Sequence, residues 1–173
     1  MSELKLILPD ESWRDAILEF KQEYLVANSA MDGTAGLVNK EFDEWLNSNI
    51  NNRSEATVAP GHVSATTYMA IREADGKLIG MIDIRHRLND YLLQHGGHIG
   101  YSIRPSERRK GYAKEQLRLA LEKCKELNID KALLTCDKKN LGSARTIMSC
   151  GGALENEILD GERITQRYWI EIK

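Results

Sequence analysis

The chain reads as a mixed α/β protein of the α+β kind: one domain over residues 1–173, built on a mixed, mostly antiparallel central sheet of about seven strands with helices on both faces. Three observations predict this class. Short β-rich segments recur from Leu4 to the C-terminus, and Asp75-Gly76 and Asp160-Gly161 supply hairpin turns between two pairs of them. Apolar stripes at helical spacing lie between other segments. From Gly97 to Leu121 a short strand, a basic glycine turn and an amphipathic helix follow one another.

The bulk properties bound the function. A chain of 173 residues, 42% hydrophobic and 29% charged, has the length and composition of one domain with a real core. The formal net charge of −2 does not point to a nucleic-acid partner. Cys124, Cys136 and Cys150 have no C-x-x-C spacing, so neither a disulfide framework nor a metal site is expected. No long apolar run or signal-peptide pattern is present, and the expectation is a cytoplasmic protein without a membrane partner.

Taken in order, Leu4, Leu6 and Leu8 alternate as a first strand that ends at Pro9. Asp10 or Ser12 can cap a helix whose inner face is Trp13, Ala16, Ile17, Phe20 and Tyr24. Asn28 to Gly36 is a polar connection with a turn at Asp32-Gly33. Asn39 reads as the cap of a second helix carrying Phe42, Trp45, Leu46 and Ile50, which the Asn-rich stretch from Asn47 to Arg53 ends. Val63–Arg72 and Lys77–Arg85 form a hairpin, and the apolar run Leu78–Ile82 marks its second strand as central. Gly80 inside it signals a bulge or a close backbone approach. A polar loop over 86–97 leads to the strand His98–Ile103.

The helix after the basic turn carries Ala113, Leu117, Ala120, Leu121 and Cys124 on one face and stops near Asn128. Lys131–Asp137 is the next strand, placed by a parallel crossover. A short helix, opened by Asn140 and running over Ser143–Cys150, stops at Gly151-Gly152, and a terminal hairpin finishes the chain. The strand-to-helix junction suits an anion. The first N–H groups of a helix lack intrahelical partners and carry partial positive charge. Gly111 permits close approach, and Arg108, Arg109 and Lys110 add full charges. Neither G-x-G-x-x-G nor a P-loop is present.

Arg108-x-x-Gly111-x-Ala113, with Asn140 one strand later, resembles the arginine/glutamine-x-x-glycine-x-glycine/alanine signature of the GNAT superfamily of acyl-CoA N-acyltransferases. The element order β-α-α-β-β-β-α-β-α-β-β agrees with that fold over essentially the whole chain. The resemblance implies transfer of an acetyl group from acetyl-CoA to a primary amine of a small molecule, with no metal. It also implies splayed fourth and fifth strands, the hairpin supplying the third and fourth and His98–Ile103 the fifth. Backbone groups of Ser102, Ile103 and Arg104 would bond the pantetheine arm, and the N–H groups of Arg109, Lys110, Gly111, Tyr112, Ala113 and Lys114 the pyrophosphate. Asn140 would bond pantetheine, beside a small residue, Ser143.

Members of the family often dimerise, although nothing in the sequence shows a homodimer interface. Many also carry a tyrosine seven residues after the asparagine as general acid, a position held here by Ile147. Ser143 is left as the donor, or the thiolate leaves unaided. His98 is the preferred general base and Asp83 the second. Phe42, Trp45 and Tyr101 are candidates for the acceptor pocket, although the spacing of Phe42 and Trp45 fits the core face of an amphipathic helix better. Arg85 can pair with Asp83 or bind an acceptor carboxylate. A protein or peptide N-acetyltransferase and a non-catalytic acyl-CoA-binding module are the alternatives.

Overall fold

A computed structural model describes residues 2–173. The strands are β1 (Leu4–Ile7), β2 (Ala65–Arg72), β3 (Leu78–Arg85), β4 (Ile99–Ile103), β5 (Lys131–Asp137), β6 (Ala153–Asp160) and β7 (Arg163–Glu171). The helices are α1 (Arg14–Ala27), α2 (Phe42–Asn52), α3 (Tyr112–Glu126) and α4 (Leu141–Ser149). The strands form two antiparallel sheets, one in the order β1-β2-β3-β4 and one in the order β5-β7-β6. Tyr24, Phe20 and Ile17 of α1, with Phe42 and Trp45 of α2, pack on Met69, Ile71, Leu78 and Met81 of the first sheet. On the opposite face, Leu117, Ala120 and Cys124 of α3 and Ile147 of α4 join Ile82, Ile84 and Ile99 to Leu134, Tyr168 and Ile170, so one apolar cluster spans both sheets. Each such fully buried side chain contributes about 1.5–3 kcal/mol.

The expected fold class is observed, with local corrections. Counted along the chain, the hairpin is β2–β3 and the strand before the basic turn is β4, one ordinal lower than the sequence reading assigned. β3 and β4 do not part; they pair from Gly80↔Ile103 to Ile84↔Ile99. The opening lies between β4 and β5, and the expected parallel pairing of those two is not made. Among the described residues their pairing is limited to the isolated antiparallel bridge Gly97↔Leu134, just before β4 and midway along β5. There the His98 N–H donates to the Leu133 carbonyl at 2.7 Å, and the Leu133 N–H donates to His98 Nδ1 at 3.0 Å. Gly97 has φ +67 and a Cβ there would stand 2.3 Å from the Leu133 carbonyl oxygen, so only glycine fits this junction.

Asn39 does not cap α2; Glu41 precedes it, and Asn39 closes a short 3-10 turn. The helix ends at Asn52, within the Asn-rich stretch as expected, and buried Asn49 donates its side-chain N–H to the Trp45 carbonyl at 3.0 Å. Gly80 shows both expected features. The β2–β3 register shifts between Ala70 and Ile71, and a Cβ at Gly80 would meet the Ser102 carbonyl oxygen at 2.5 Å.

Candidate active site

Past the bridge, β4 and β5 diverge around a cavity of about 830 Å³. Side chains of β4 alternate across it. Ile99, Tyr101 and Ile103 face the α3 side, whereas Gly100 and Ser102, opposite Asp83 and Met81, face α1 and α2. The backbone alternates as well. The Arg85 N–H bonds the His98 carbonyl and the Arg104 N–H bonds the Ile79 carbonyl, so the even-numbered residues face β3. The N–H and C=O groups of Tyr101 and Ile103 therefore line the open edge. This corrects the expectation for Ser102 and Arg104, whose backbone groups are engaged by β3. Only Ile103 of that trio offers an edge donor.

At the C-terminal end of β4 the chain makes a 3-10 turn, Pro105–Glu107, and enters α3 through Arg109 (φ 63) and Gly111 (φ 87). Among the described residues, none accepts a hydrogen bond from the backbone N–H groups of residues 109–114. Arg108, Arg109, Gly111, Tyr112, Ala113 and Lys114 all line the cavity. The charges are distributed differently from the expectation. Lys110 does not line it; its ammonium bonds Glu107 Oε2 at 2.8 Å. Arg72 and Lys77 grip the same carboxylate. With Lys110 foremost, these cations hold Glu107 down to about 2. Arg104 is buried against Glu19 and Glu23. Arg108 donates to the Ile103 carbonyl at 3.0 Å and to Ser29 Oγ at 2.9 Å, tying the end of β4 to the segment after α1. Arg109 and Lys114 remain without such partners among the described residues.

The profile of the acetyltransferase (GNAT) domain matches residues 9–153. The chain belongs to that family. No curated protein sequence matches significantly. Among solved structures, the ribosomal L7/L12 alpha-N-protein acetyltransferase RimL in complex with coenzyme A superposes with a TM-score of 0.75 at 15% identity, over 99% of this chain and 96% of the other. The microcin C7 self-immunity acetyltransferase MccE, in complex with acetyl-CoA and AMP, gives 0.70 at 16% identity, over 98% and 93%. A spermidine N-acetyltransferase chimera from Vibrio cholerae and hSSAT gives 0.66 at 18% identity, over 98% and 96%. At these identities the likeness is one of fold.

The remaining expected GNAT site residues divide between the cavity and the scaffold. His98 is 7% exposed and does not line the cavity. Its Nδ1 is occupied by Leu133, and burial, reinforced by the Arg85 charge, pushes it down to about 4. Asp83 is buried beneath the cavity wall, accepting from Thr67 Oγ1 at 2.8 Å and pairing with Arg85. Burial raises its pKa against the pull of Arg85. Neither residue is brought to the cavity as a base. Phe42 and Trp45 are core: Trp45 is wholly buried and its indole N–H donates to the Thr34 carbonyl at 2.7 Å, holding the 28–41 segment from below. Arg85 lines the cavity from the α1 and α2 side.

Asn140 lines the cavity and also caps α4, accepting from the Ser143 N–H at 3.1 Å. Tyr101 lines the cavity. It lies on the α4 side, where its hydroxyl is 3.1 Å from Ser143 Oγ, and burial pushes it up to about 12. The hydroxyl absent at Ile147 thus has a counterpart from β4, beside the residue already singled out. Sequence reasoning missed Glu107 as the clasp of the basic turn, and missed Asp32, Gly33, His95, Thr135, Cys136 and Asp137 on the cavity wall. For Gly33 a signal existed in the Asp32-Gly33 turn. Glu107 had one local partner in Lys110, but Arg72 and Lys77, which complete the clasp, are distant in sequence.

Proposed function

We propose that this GNAT protein is an N-acetyltransferase that moves an acetyl group from acetyl-CoA to a primary amine of a small molecule by direct transfer in a ternary complex. One observation carries this reading: the open edge of β4 and the unpaired N–H groups of residues 109–114 border one continuous cavity. A strand edge without a partner strand suits an extended amide-bearing arm. A helix N-terminus with a basic rim suits a diphosphate. Acetyl-CoA has both parts, and when bound it supplies the thioester acetyl group.

In this reading the N–H groups of 109–114, with Arg109 and Lys114, hold the pyrophosphate, and Tyr101 and Ile103 bond the arm. Asn140 borders the arm while fixing the first turn of α4. The Tyr101–Ser143 hydroxyl pair donates a proton toward the departing thiolate. On the α1 and α2 side, Asp32, His95 and Asp137 line the wall, where a carboxylate or imidazole can take the ammonium proton directly or through water. The protein is proposed to work as one cytoplasmic domain with no metal.

Thermal unfolding with and without acetyl-CoA tests the binding half. A ligand at 100 times its dissociation constant adds about 2.7 kcal/mol, and the absence of any shift with acyl-CoAs refutes it. Thiol release across an amine panel tests the transfer half. Two alternatives are separated by the same assay. A non-catalytic acyl-CoA-binding module, favoured by Ile147 and by the burial of His98, binds acetyl-CoA without amine-dependent thiol release. A protein or peptide N-acetyltransferase acetylates peptide N-termini in preference to free amines.

A further inference from the structure

We infer that the acceptor carries a carboxylate beside its reactive amine, and that Arg85 is the side chain that selects it. The inference rests on the transferase reading and names its substrate class as amino carboxylates.

Arg85 ends β3 on the α1 and α2 side of the cavity, with 24% of its side chain exposed. Its guanidinium is held at two of its three nitrogens. Nε lies 3.1 Å from Asp83 Oδ2, and Asp83 is itself held by Thr67. Nη1 donates to the carbonyls of Gly96 at 3.3 Å and Gly97 at 3.5 Å. Among the described residues Nη2 has no hydrogen-bond partner. It lies against Gly100, where an added Cβ would stand 3.4 Å from Nη2, 3.5 Å from Nη1 and 3.5 Å from the Gly33 Cα. Any side chain at 100 would cover the guanidinium, and the segment that crosses it arrives as glycine too. Among the described residues' contacts Nη2 is the one guanidinium nitrogen left to donate, and a carboxylate oxygen can accept a charge-assisted hydrogen bond from it.

The charges around it argue against a polycationic acceptor. Asp83 is engaged by Arg85 and Thr67. Asp137 accepts from the Lys139 N–H at 2.9 Å and faces Arg163 at 3.8 Å. Asp32 alone of the acidic wall residues makes no hydrogen bond or ion pair among the described residues. A polyamine would set further positive charges beside a fixed arginine, with little acid to receive them. An amino carboxylate places its anion at Arg85 and a single ammonium group by the remaining acid.

The test compares matched pairs in the full-length protein: amino acids and their carboxamides as acceptors, read by thiol release, and N-acetyl amino acids and their carboxamides as ligands, read by thermal shift with and without CoA. The wild type is expected to favour the carboxylate at least tenfold in kcat/KM, through KM, and Arg85→Gln to reduce that preference below threefold with the KM for acetyl-CoA unchanged. Arg85→Lys and the double variant Asp83→Asn/Arg85→Gln guard against a folding defect. Equal use of carboxylate and carboxamide by the wild type, a better rate with spermidine, or a preference that survives in Arg85→Gln overturns the inference. If acetyl-CoA does not bind, the transferase reading falls; the N-acetyl carboxylate and carboxamide shifts then still decide the role of Arg85.

Discussion

Gly111→Val separates a ligand-binding glycine from a structural one. Gly111 has φ +87, and a Cβ built on it meets nothing within 4 Å. The folding cost is therefore backbone strain without a clash, about 1–2 kcal/mol for a side chain held in the left-handed region. For a chain of this size that lowers Tm by roughly 2–8 °C. Gly111 lines the cavity beside the N–H groups of residues 109–114, none of which has an acceptor among the described residues. Displacing two charge-assisted hydrogen bonds, at about 1.5–3 kcal/mol each, costs roughly 3–6 kcal/mol of binding. This corresponds to about 10² to 10⁴ in Kd. Calorimetric titration with CoA, alongside thermal unfolding of the ligand-free protein, reads both quantities. A Kd within threefold of wild type would refute the reasoning, as would a stability loss as large as the binding loss.

Other variants probe the remaining parts. Ser143→Ala is expected to lower kcat by about 10- to 100-fold, toward the low end of general acid catalysis, with the KM for acetyl-CoA within threefold; Tyr101→Phe should lower it by less. Unchanged steady-state rates in both would mean that the thiolate leaves unaided. Gly33→Ala puts a Cβ 2.2 Å from the Gly100 carbonyl oxygen, and should destabilise the fold by about 1–3 kcal/mol, measured by denaturant unfolding. His98 is held neutral in the folded state, with its pKa depressed to about 4 from 6.5. Its contribution to stability is thus complete above pH 6.5 and lost as the pH falls toward 4. His98→Gln should flatten that part of the stability profile without shifting the pH optimum of kcat, and a shifted optimum would restore a catalytic role.

The parts of this molecule that sequence makes legible are those whose cause is local. The hairpin turns, the stripe of α3, Gly111 and the Asn140 cap all follow from residues within one or two turns of one another, and all appear where expected. The site was less legible because its decisive contacts are long-range. Lys110 reads as a ligand cation until Glu107 is seen to collect Arg72 and Lys77 as well. His98 reads as a base until β5 arrives with Leu133. Phe42 and Trp45 fit a core better than a pocket by spacing, and the packing of α2 on the first sheet decides for the core. The Tyr101–Ser143 pair joins residues 42 positions apart, and no motif reaches that far.

His98 stands at the junction where the sheet divides. Two adjacent strands with free edges gain by pairing, and an open edge leaves backbone groups without protein partners. Among the described residues, pairing is confined to the approach to β4 and the middle of β5, where the left-handed Gly97 and the His98 ring replace a regular ladder. A ring nitrogen that accepts the Leu133 N–H removes that donor from any continuing register. Beyond this point Tyr101 leans toward Ser143 on one face, and Arg85 occupies the other beside Gly100. Side chains thus stand on both faces of the gap while its floor remains backbone. The histidine at the apex marks where the strands separate and the cavity begins.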